Sequence, residues 1–401
     1  MKLKKVIRAC PICLNKTGEL LHGQSFELYE GFRLPDAYDV ISCVNCGFVY
    51  ADTPATQKDY NDYYGNFSKY ENSISPGGRI NPCDIDKYER MVRDITKLLK
   101  DKNATILDIG CAKGGLLATF KISGFNDLTG LDPSASCVNQ VKAQGINAVL
   151  GGLFEENFPG TTLKQTFDCV IISHVIEHVY DLSTAIKNAL AYVKTGGLLY
   201  LEAPDASRYT GYYVAPYHYF DFEHINHFDE HSLNNLMACF KCAPVASGKK
   251  DVQHSNAVFY PAVYSVYEKK DALNNQQKPI PNFDVRENVV RYIEMSRQAD
   301  YWPELENLVK TQEEIVVWGA AAYASRLYKT GVLRKCNIVG FIDNDSKKHG
   351  AKFGTNVKIY SPKDVLPKFK GTVVVCSAVY NNEIMKEIYN MGISNSVIVL
   401  R

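Results

Sequence analysis

The chain carries short apolar runs separated by stretches in which apolar residues recur every three or four positions. The runs are Thr105 to Ile109, Asp127 to Leu131, Asn147 to Leu150, Asp168 to Ser173 and Gly197 to Glu202. Runs this short and apolar fit strands buried on both faces, and the helical stretches between them supply the cover, so a mostly parallel sheet is predicted. A helix from Asp84 to Lys100 leads into it, with Tyr88, Met91, Val92, Ile95, Leu98 and Leu99 on one face and Asp84 as N-cap. A helical connection covers Asp284 to Thr311. The alternation then restarts in EEIVVWGAAAYASRLY (Glu313 to Tyr328), NIVGFIDND (Asn337 to Asp345) and TVVVCSAVY (Thr372 to Tyr380). The predicted fold class is α/β, with a central unit and a smaller one of similar plan.

The first 80 residues lack this alternation and hold two cysteine pairs instead, Cys10-Pro-Ile-Cys13 and Cys43-Val-Asn-Cys46, with Gly47 directly after the last. Two residues between thiolates let one tight knuckle aim both sulfurs at one ion, and two knuckles complete a tetrahedron around Zn²⁺. Gly47 suits the positive φ of such a turn. Four thiolates leave no open coordination position, so the zinc is expected to be structural. Buried thiols or a redox pair are the competing explanations. An aromatic linker is expected from Thr53 to Pro82, with Tyr60, Tyr63, Tyr64, Phe67 and Tyr70 followed by SPGGRINP.

Composition narrows the classes. The 401 residues are 46% apolar and 22% charged, which implies two or three domains with real cores. The 45 Lys and Arg against 44 Asp and Glu leave +1, no field to hold a polyanion, and nucleic acid is excluded as the main partner. No run approaches the roughly 18 apolar residues of a membrane span, so no membrane insertion is expected. The opening Met-Lys-Leu-Lys-Lys imitates a signal peptide, but Arg8, Cys10 and Pro11 interrupt it, and the chain reads as mature and cytoplasmic. The twelve cysteines are then expected to be reduced, buried or metal-bound.

The most informative run is ILDIGCAKGGLL, Ile106 to Leu117. A strand ends at Asp108-Ile109, and Gly110, Ala112, Gly114 and Gly115 let the backbone turn sharply beneath a ligand. Asp132, 22 residues after Gly110, closes the next strand, where a carboxylate accepts both ribose hydroxyls of a nucleoside. A dinucleotide and S-adenosylmethionine both fit this outline. Asp108, before the first glycine, favours the second: it attracts an ammonium or sulfonium and repels a pyrophosphate.

These residues resemble the class I S-adenosylmethionine-dependent methyltransferases. The resemblance continues through FDCVIISHVIEHV (Phe167 to Val179), where His174 through His178 match the segment that passes beside the methyl donor, and GGLLYLEAPD (Gly196 to Asp205), which matches the fifth strand. Glu177 and His178 fit a helix cap equally well. The full layout resembles the sugar C-methyltransferases that act on nucleotide-linked keto-deoxysugars: a zinc-binding domain, a Rossmann-like methyltransferase core and a smaller Rossmann-like C-terminal domain. That resemblance implies a nucleotide-sugar substrate, Glu223 and His224 in FDFEHINHF as the catalytic pair with His224 as base, and an assisting tyrosine at Tyr64 or Tyr70. The family has a further His before the Glu and Ser-Tyr after the His, where this chain has Phe222, Asn226 and His227. An imidazole suits removal of a proton next to a carbonyl near neutral pH. His224 capping the helix that starts near Asp229 is the structural alternative; His218, His227, His231 and His254 are secondary candidates.

The boundaries expected are 1–80 for the zinc domain and linker, 81–250 for the methyltransferase domain and 251–401 for the C-terminal domain, in a monomer or dimer. Val316 to Ala324 with Asp343, 24 residues after Gly319, imitates a dinucleotide fingerprint, but Ala321 and Ala324 restrict approach of a pyrophosphate. The resemblance implies a cofactor-less domain that encloses the sugar nucleotide. Three alternatives stay open: a sugar O-methyltransferase, motivated by Asn226 and His227; an NAD-dependent oxidoreductase or epimerase; and a non-catalytic sugar-binding protein.

Overall fold

A computed structural model of the chain describes residues 2–67, 82–99, 101–154, 166–240, 242–255, 257–270, 278–354 and 356–401. The first sheet is antiparallel: β1 (Leu3–Lys5), β2 (Thr17–Ser25), β3 (Ala37–Cys43) and β4 (Val49–Asp52) lie in chain order, with the two cysteine pairs between β1 and β2 and between β3 and β4. The stretch read as an aromatic linker is in part a helix, α1 (Gln57–Phe67). Asp59 accepts the N–H and hydroxyl of Thr56, each at 2.7 Å, which caps the helix start, and Tyr60 and Tyr63 recur at helical spacing and are buried. Tyr70 and Ser75 to Asn81 lie outside the described residues.

Helix α2 (Pro82–Thr96) begins two residues before the expected Asp84 cap. It leads into β5 (Ile106–Ile109), α3 (Gly115–Ile122), β6 (Leu128–Asp132), α4 (Ala135–Ala143), β7 (Asn147–Leu150), β8 (Phe167–Ser173), α5 (Leu182–Ala191) and β9 (Val193–Pro204). These five strands are parallel, in the order β7-β6-β5-β8-β9. Ile106, Leu107, Val170, Ile171, Leu199 and Leu201 are fully buried between helical layers, as an all-apolar run requires. The sheet continues beyond β9. The hairpin β11 (Ala243–Gln253) and β12 (Phe259–Glu268) adds two strands, β12 antiparallel to β9, so the boundary placed at 250 falls inside β11.

The N-terminal and central units interlock. The short strand β10 (Asn226–His227), just after the expected catalytic pair, pairs with β4 and completes the first sheet. Helix α6 (Glu230–Ala238) follows, capped by Asp229 and Ser232 exchanging bonds of 2.8 Å, so the cap is not His224. Arg8, two residues before the first cysteine and 2% exposed, threads the join. Its guanidinium donates to the carbonyls of Ala51, Ile225, Val179 and Tyr180 and to Asn226 Oδ1, at 2.7 to 3.4 Å. Burial pulls its pKa down, but a guanidinium stays charged at any physiological pH.

The helical connection is two helices, α7 (Asp284–Ala299) and α8 (Pro303–Thr311), broken before Pro303. The C-terminal sheet comprises β13 (Glu314–Trp318), β14 (Asn337–Ile342), β16 (Val357–Tyr360), β17 (Thr372–Val375) and β18 (Val397–Val399), all parallel, with β15 (Lys352–Phe353) antiparallel at one edge. It packs helix α9 (Ala322–Lys329) towards the N-terminal unit, where Ser325 O accepts from Glu27 N at 3.1 Å. Among the described residues, no helix is long and apolar enough to cross a membrane.

Candidate active site and metal centre

The two cysteine knuckles close on each other. Cys10 Sγ lies 3.6 Å from Cys46 Sγ, Cys13 Sγ lies 3.4 Å from Cys43 Sγ, and all four sulfurs fall within 4.8 Å. Each knuckle is shut by a backbone bond, Leu14 N to Cys10 O at 2.8 Å and Gly47 N to Cys43 O at 2.9 Å. Gly47 has φ +82°, and a Cβ there would stand 1.8 Å from the carbonyl oxygen of Asn282, so only glycine fits. None of the four forms a disulfide. A tetrahedron with Zn–S near 2.3 Å has edges of about 3.8 Å, so the donor set fits zinc with every position filled by sulfur.

The glycine turn after β5 carries the second cluster. Gly110 and Gly114 both have φ +78° and Ala112 has φ +46°, a left-handed conformation that strains an alanine. Asp132 holds the strained turn: one carboxylate oxygen accepts Ala112 N–H at 2.8 Å and the other accepts Ser134 N–H at 2.9 Å. Asp108 is buried beneath. Burial first, and then the charge of Asp132, pushes its pKa up to about 7, against a smaller pull from Lys87. Two buried carboxylates at the end of parallel strands form a site that a cation stabilises. A Cβ on Gly110 would meet Val175 at 2.6 Å, so the turn lies directly against the loop after β8.

That loop is held by a buried chain of charges. His174, with φ +54°, places Nδ1 3.3 Å from Glu177 and Nε2 3.3 Å from Glu202, and Tyr260 OH stands 3.2 Å from Nε2. Glu202 is fully buried and also meets Lys250 Nζ at 3.0 Å and Tyr200 OH at 2.5 Å. Burial alone would lower the His174 pKa; hydrogen bonds to Glu177 and Glu202 raise it overall. Burial would likewise raise Glu177, but His178, His174 and His224 outweigh it and hold the carboxyl down at about 2. His174 thus sits as an ion-pair knot beneath the loop.

Glu223 and His224 arrive from the other side. Asp221 Oδ1 accepts both of their backbone N–H groups, at 2.9 and 2.8 Å, in a tight turn that presents them together. Tyr63 and Tyr64, adjacent on α1, each donate to Glu223, one to each oxygen, both at 3.1 Å. His178 Nδ1 meets the Glu223 carbonyl at 3.1 Å, and its ring stands 4.8 Å from that of His224. The structure therefore brings Tyr64, His178, Glu223 and His224 into one cluster. It adds Tyr63 and Asp221, which sequence reasoning did not single out, and Glu177, read there as a helix cap or a donor contact; Glu202 lies behind the cluster, against His174. Asp221 had a legible signal, an Asp two residues before the pair; Glu202 had none, because Ser173, His174 and Lys250 reach it from two other, distant segments.

Asn226 and His227, the motive for considering O-methylation, do not line this cluster. Asn226 is 2% exposed; it accepts from Arg8 and donates to the Ile176 and Val179 carbonyls. His227 is fully buried beside Tyr209 OH, and burial lowers its pKa to about 3. His231 contacts the Ile280 carbonyl, and His254 bridges to Tyr380 OH of the C-terminal unit.

Comparison with known proteins agrees with the central fold. Residues 84–245 match the methyltransferase-domain family and residues 311–399 match the family described as C2185-like, N-terminal. The chain thus carries a segment similar to a methyltransferase domain and, after it, one similar to a C2185-like domain, with a four-cysteine cluster near its N-terminus. Ubiquinone biosynthesis O-methyltransferase of Methylobacterium nodulans is 30% identical over 133 residues, covering 30% of this chain and 51% of that protein. The Coxiella burnetii (strain Dugway 5J108-111) protein of the same name is 28% identical over 151 residues, 37% of this chain and 64% of its own length. The chain spans about half the length of the first of these relatives. Among solved structures, magnesium protoporphyrin IX methyltransferase of Synechocystis PCC 6803 aligns at 14% identity with TM-score 0.39, over 53% of this chain and 99% of that one.

Proposed function

We propose that the protein transfers a methyl group from S-adenosylmethionine, and that the acceptor is a carbon next to the carbonyl of a nucleotide-linked keto-deoxysugar. The observation that carries this reading is the junction at Val175. The loop bearing His178 presses on Gly110 of the glycine turn on one side and meets the Glu223–His224 segment on the other. At that turn Asp108 would hold the ammonium and Asp132 the ribose of S-adenosylmethionine, which would supply the methyl group. Gly110, Ala112 and Gly114 shape the floor, and His174 and His178 flank the donor.

His224 takes the proton next to the carbonyl, and the resulting carbanion attacks the sulfonium methyl in line with sulfur. Charge on the enolate oxygen needs a donor; a tyrosine hydroxyl on α1 supplies it, Tyr64 being the expected one, by turning its single hydrogen from Glu223 to the substrate. The four cysteines hold a structural zinc ion that fixes the first sheet and, through β10, the catalytic segment. The C-terminal unit encloses the nucleotide end of the substrate, with no nucleic acid or membrane partner.

Solvent-deuterium exchange tests the carbon chemistry directly. Incubated with a nucleotide-linked keto sugar in heavy water, the protein should exchange the proton next to the carbonyl, and His224→Gln should not. Exchange at wild-type rate in that variant removes His224 as base. The second reading, O-methylation, is favoured by the names of the two relatives. NMR placing the new methyl on oxygen would establish it.

A further inference from the structure

We propose that Glu177, His178 and His224 form a second metal site, for a zinc-class divalent ion, independent of the four cysteines. One donor atom from each of the three lies within 4.8 Å of the others. The carboxylate is the strongest pointer. Glu177 is 1% exposed; Oε1 is shared with His174, while the buried Oε2 has no hydrogen-bond partner. A buried carboxylate oxygen with no hydrogen-bond donor is costly to leave so, even beside the imidazoles that lower the Glu177 pKa. A cation removes that cost.

The two imidazoles are prepared as ligands to different degrees. His178 Nδ1 faces the Glu223 carbonyl at 3.1 Å, and a carbonyl only accepts, so Nδ1 carries a hydrogen and Nε2 is the nitrogen available to a metal. That Nε2 stands 3.8 Å from Glu177 Oε1, and an ion between them would take the place of a proton on Nε2. A ring whose other nitrogen is tied to a backbone carbonyl is the usual second shell of a metal-bound histidine. His224 is half-buried and gives the ion a way in from solvent. Metal–nitrogen distances near 2.1 Å put ligand atoms about 3.3 Å apart, so side-chain rotation must draw the group in by about 1.5 Å. Two imidazoles and one carboxylate suit zinc, cobalt or nickel over magnesium or calcium, and leave open positions on the ion.

Cobalt titration of the full-length protein, its four cysteines first filled with one equivalent of Zn²⁺, tests the site. A second equivalent should bind with visible ligand-field bands and without the intense thiolate-to-cobalt absorption. Glu177→Gln, which keeps the shape, and His178→Ala should each weaken that equivalent by about tenfold or more and leave the cysteine-bound zinc in place. Binding that stops at one equivalent, or a second equivalent that survives both substitutions, overturns the proposal. If His178→Ala fails to fold by circular dichroism, Glu177→Gln decides alone. The inference does not depend on methyl transfer: S-adenosylhomocysteine calorimetry reports on that reading separately. Where both hold, a bound ion occupies the His224 lone pair, so turnover falls as cobalt fills the site while S-adenosylhomocysteine affinity is unchanged.

Discussion

The central and C-terminal units repeat one plan, a parallel sheet with a glycine turn after its first strand, and they differ in which polar atoms face that turn. In both, the acid ending the second strand accepts the backbone of the turn: Asp132 takes Ala112 N–H and Asp343 takes Ala320 N–H, each at 2.8 Å. In both, its other oxygen accepts the N–H two residues on, from Ser134 and from Asp345. Asp343 also meets Lys348 Nζ at 3.0 Å, and its carbonyl meets His349 Nε2 at 2.7 Å. Two residues before Gly319 stands the buried Val317, where the central unit has Asp108 two residues before Gly110. One turn has a pair of buried carboxylates; the other has an apolar floor and an acid paired with a lysine. Secondary structure is shared, and the charge facing the turn is not.

The sharpest way to break this contrast is substitution of the two glycines. Gly110→Val forces a side chain into a positive φ and onto Val175, and S-adenosylhomocysteine affinity should fall by about 100-fold or more by calorimetry. Gly319→Val, with φ +111° and a Cβ 2.7 Å from the Cys376 carbonyl, should lower stability by about 3 kcal/mol in thermal unfolding and leave that affinity alone. Equal effects on affinity would erase the distinction.

Next in size is Arg8→Met, which removes five hydrogen bonds at the join, only some of whose acceptors keep another donor, and should cost about 3 kcal/mol. Because Arg8 binds the carbonyls of Val179, Tyr180 and Ile225, turnover should fall further than cofactor affinity. A matched Arg326→Met, which strands Asp300 within the C-terminal half, should lower stability with turnover per folded molecule retained.

A pH series refines the comparison. Asp108 must lose its proton to face an ammonium, so S-adenosylhomocysteine affinity should rise with pH, by at most about tenfold per unit, and level off above about 7. Stability of the unliganded protein runs the other way. The folded acid keeps a proton that the unfolded chain releases near 3.8, so this residue's contribution declines as pH rises from about 4 to about 7. Asp108→Asn should flatten both profiles. The smallest effect belongs to Lys348→Ala. Its pair with Asp343 is partly exposed, so the loss should be about 1 kcal/mol or less, and calorimetry with NAD should show no binding before or after.

Much of the site was readable where its chemistry is local. Cys10, Cys13, Cys43 and Cys46 announce themselves because a knuckle needs fixed spacing, and Gly110, Ala112 and Gly114 because a tight turn needs permissive residues. Glu223 and His224 were read through family likeness, and the turn held by Asp221 that presents them is local too. The charges behind them were not readable. Glu202 gathers Ser173, His174, Tyr200 and Lys250, residues brought together only by neighbouring strands and the β11–β12 hairpin. The boundary expected at 250 falls inside β11 for a similar reason: β11 is a polar edge strand and carries little of the apolar signal that marked β5 to β9.

From the order of residues alone follow the two α/β plans, the four-thiol cluster and the glycine turn with its acids, since each depends on periodicity or spacing within a few dozen residues. Tertiary structure decided that β10 belongs to the first sheet, that Arg8 ties the cysteine unit to the loops bearing His178 and His224, and that Asn226 and His227 are walled in. Those outcomes rest on which carbonyls and carboxylates are left buried and in need of a partner, and that is settled only when distant segments have packed.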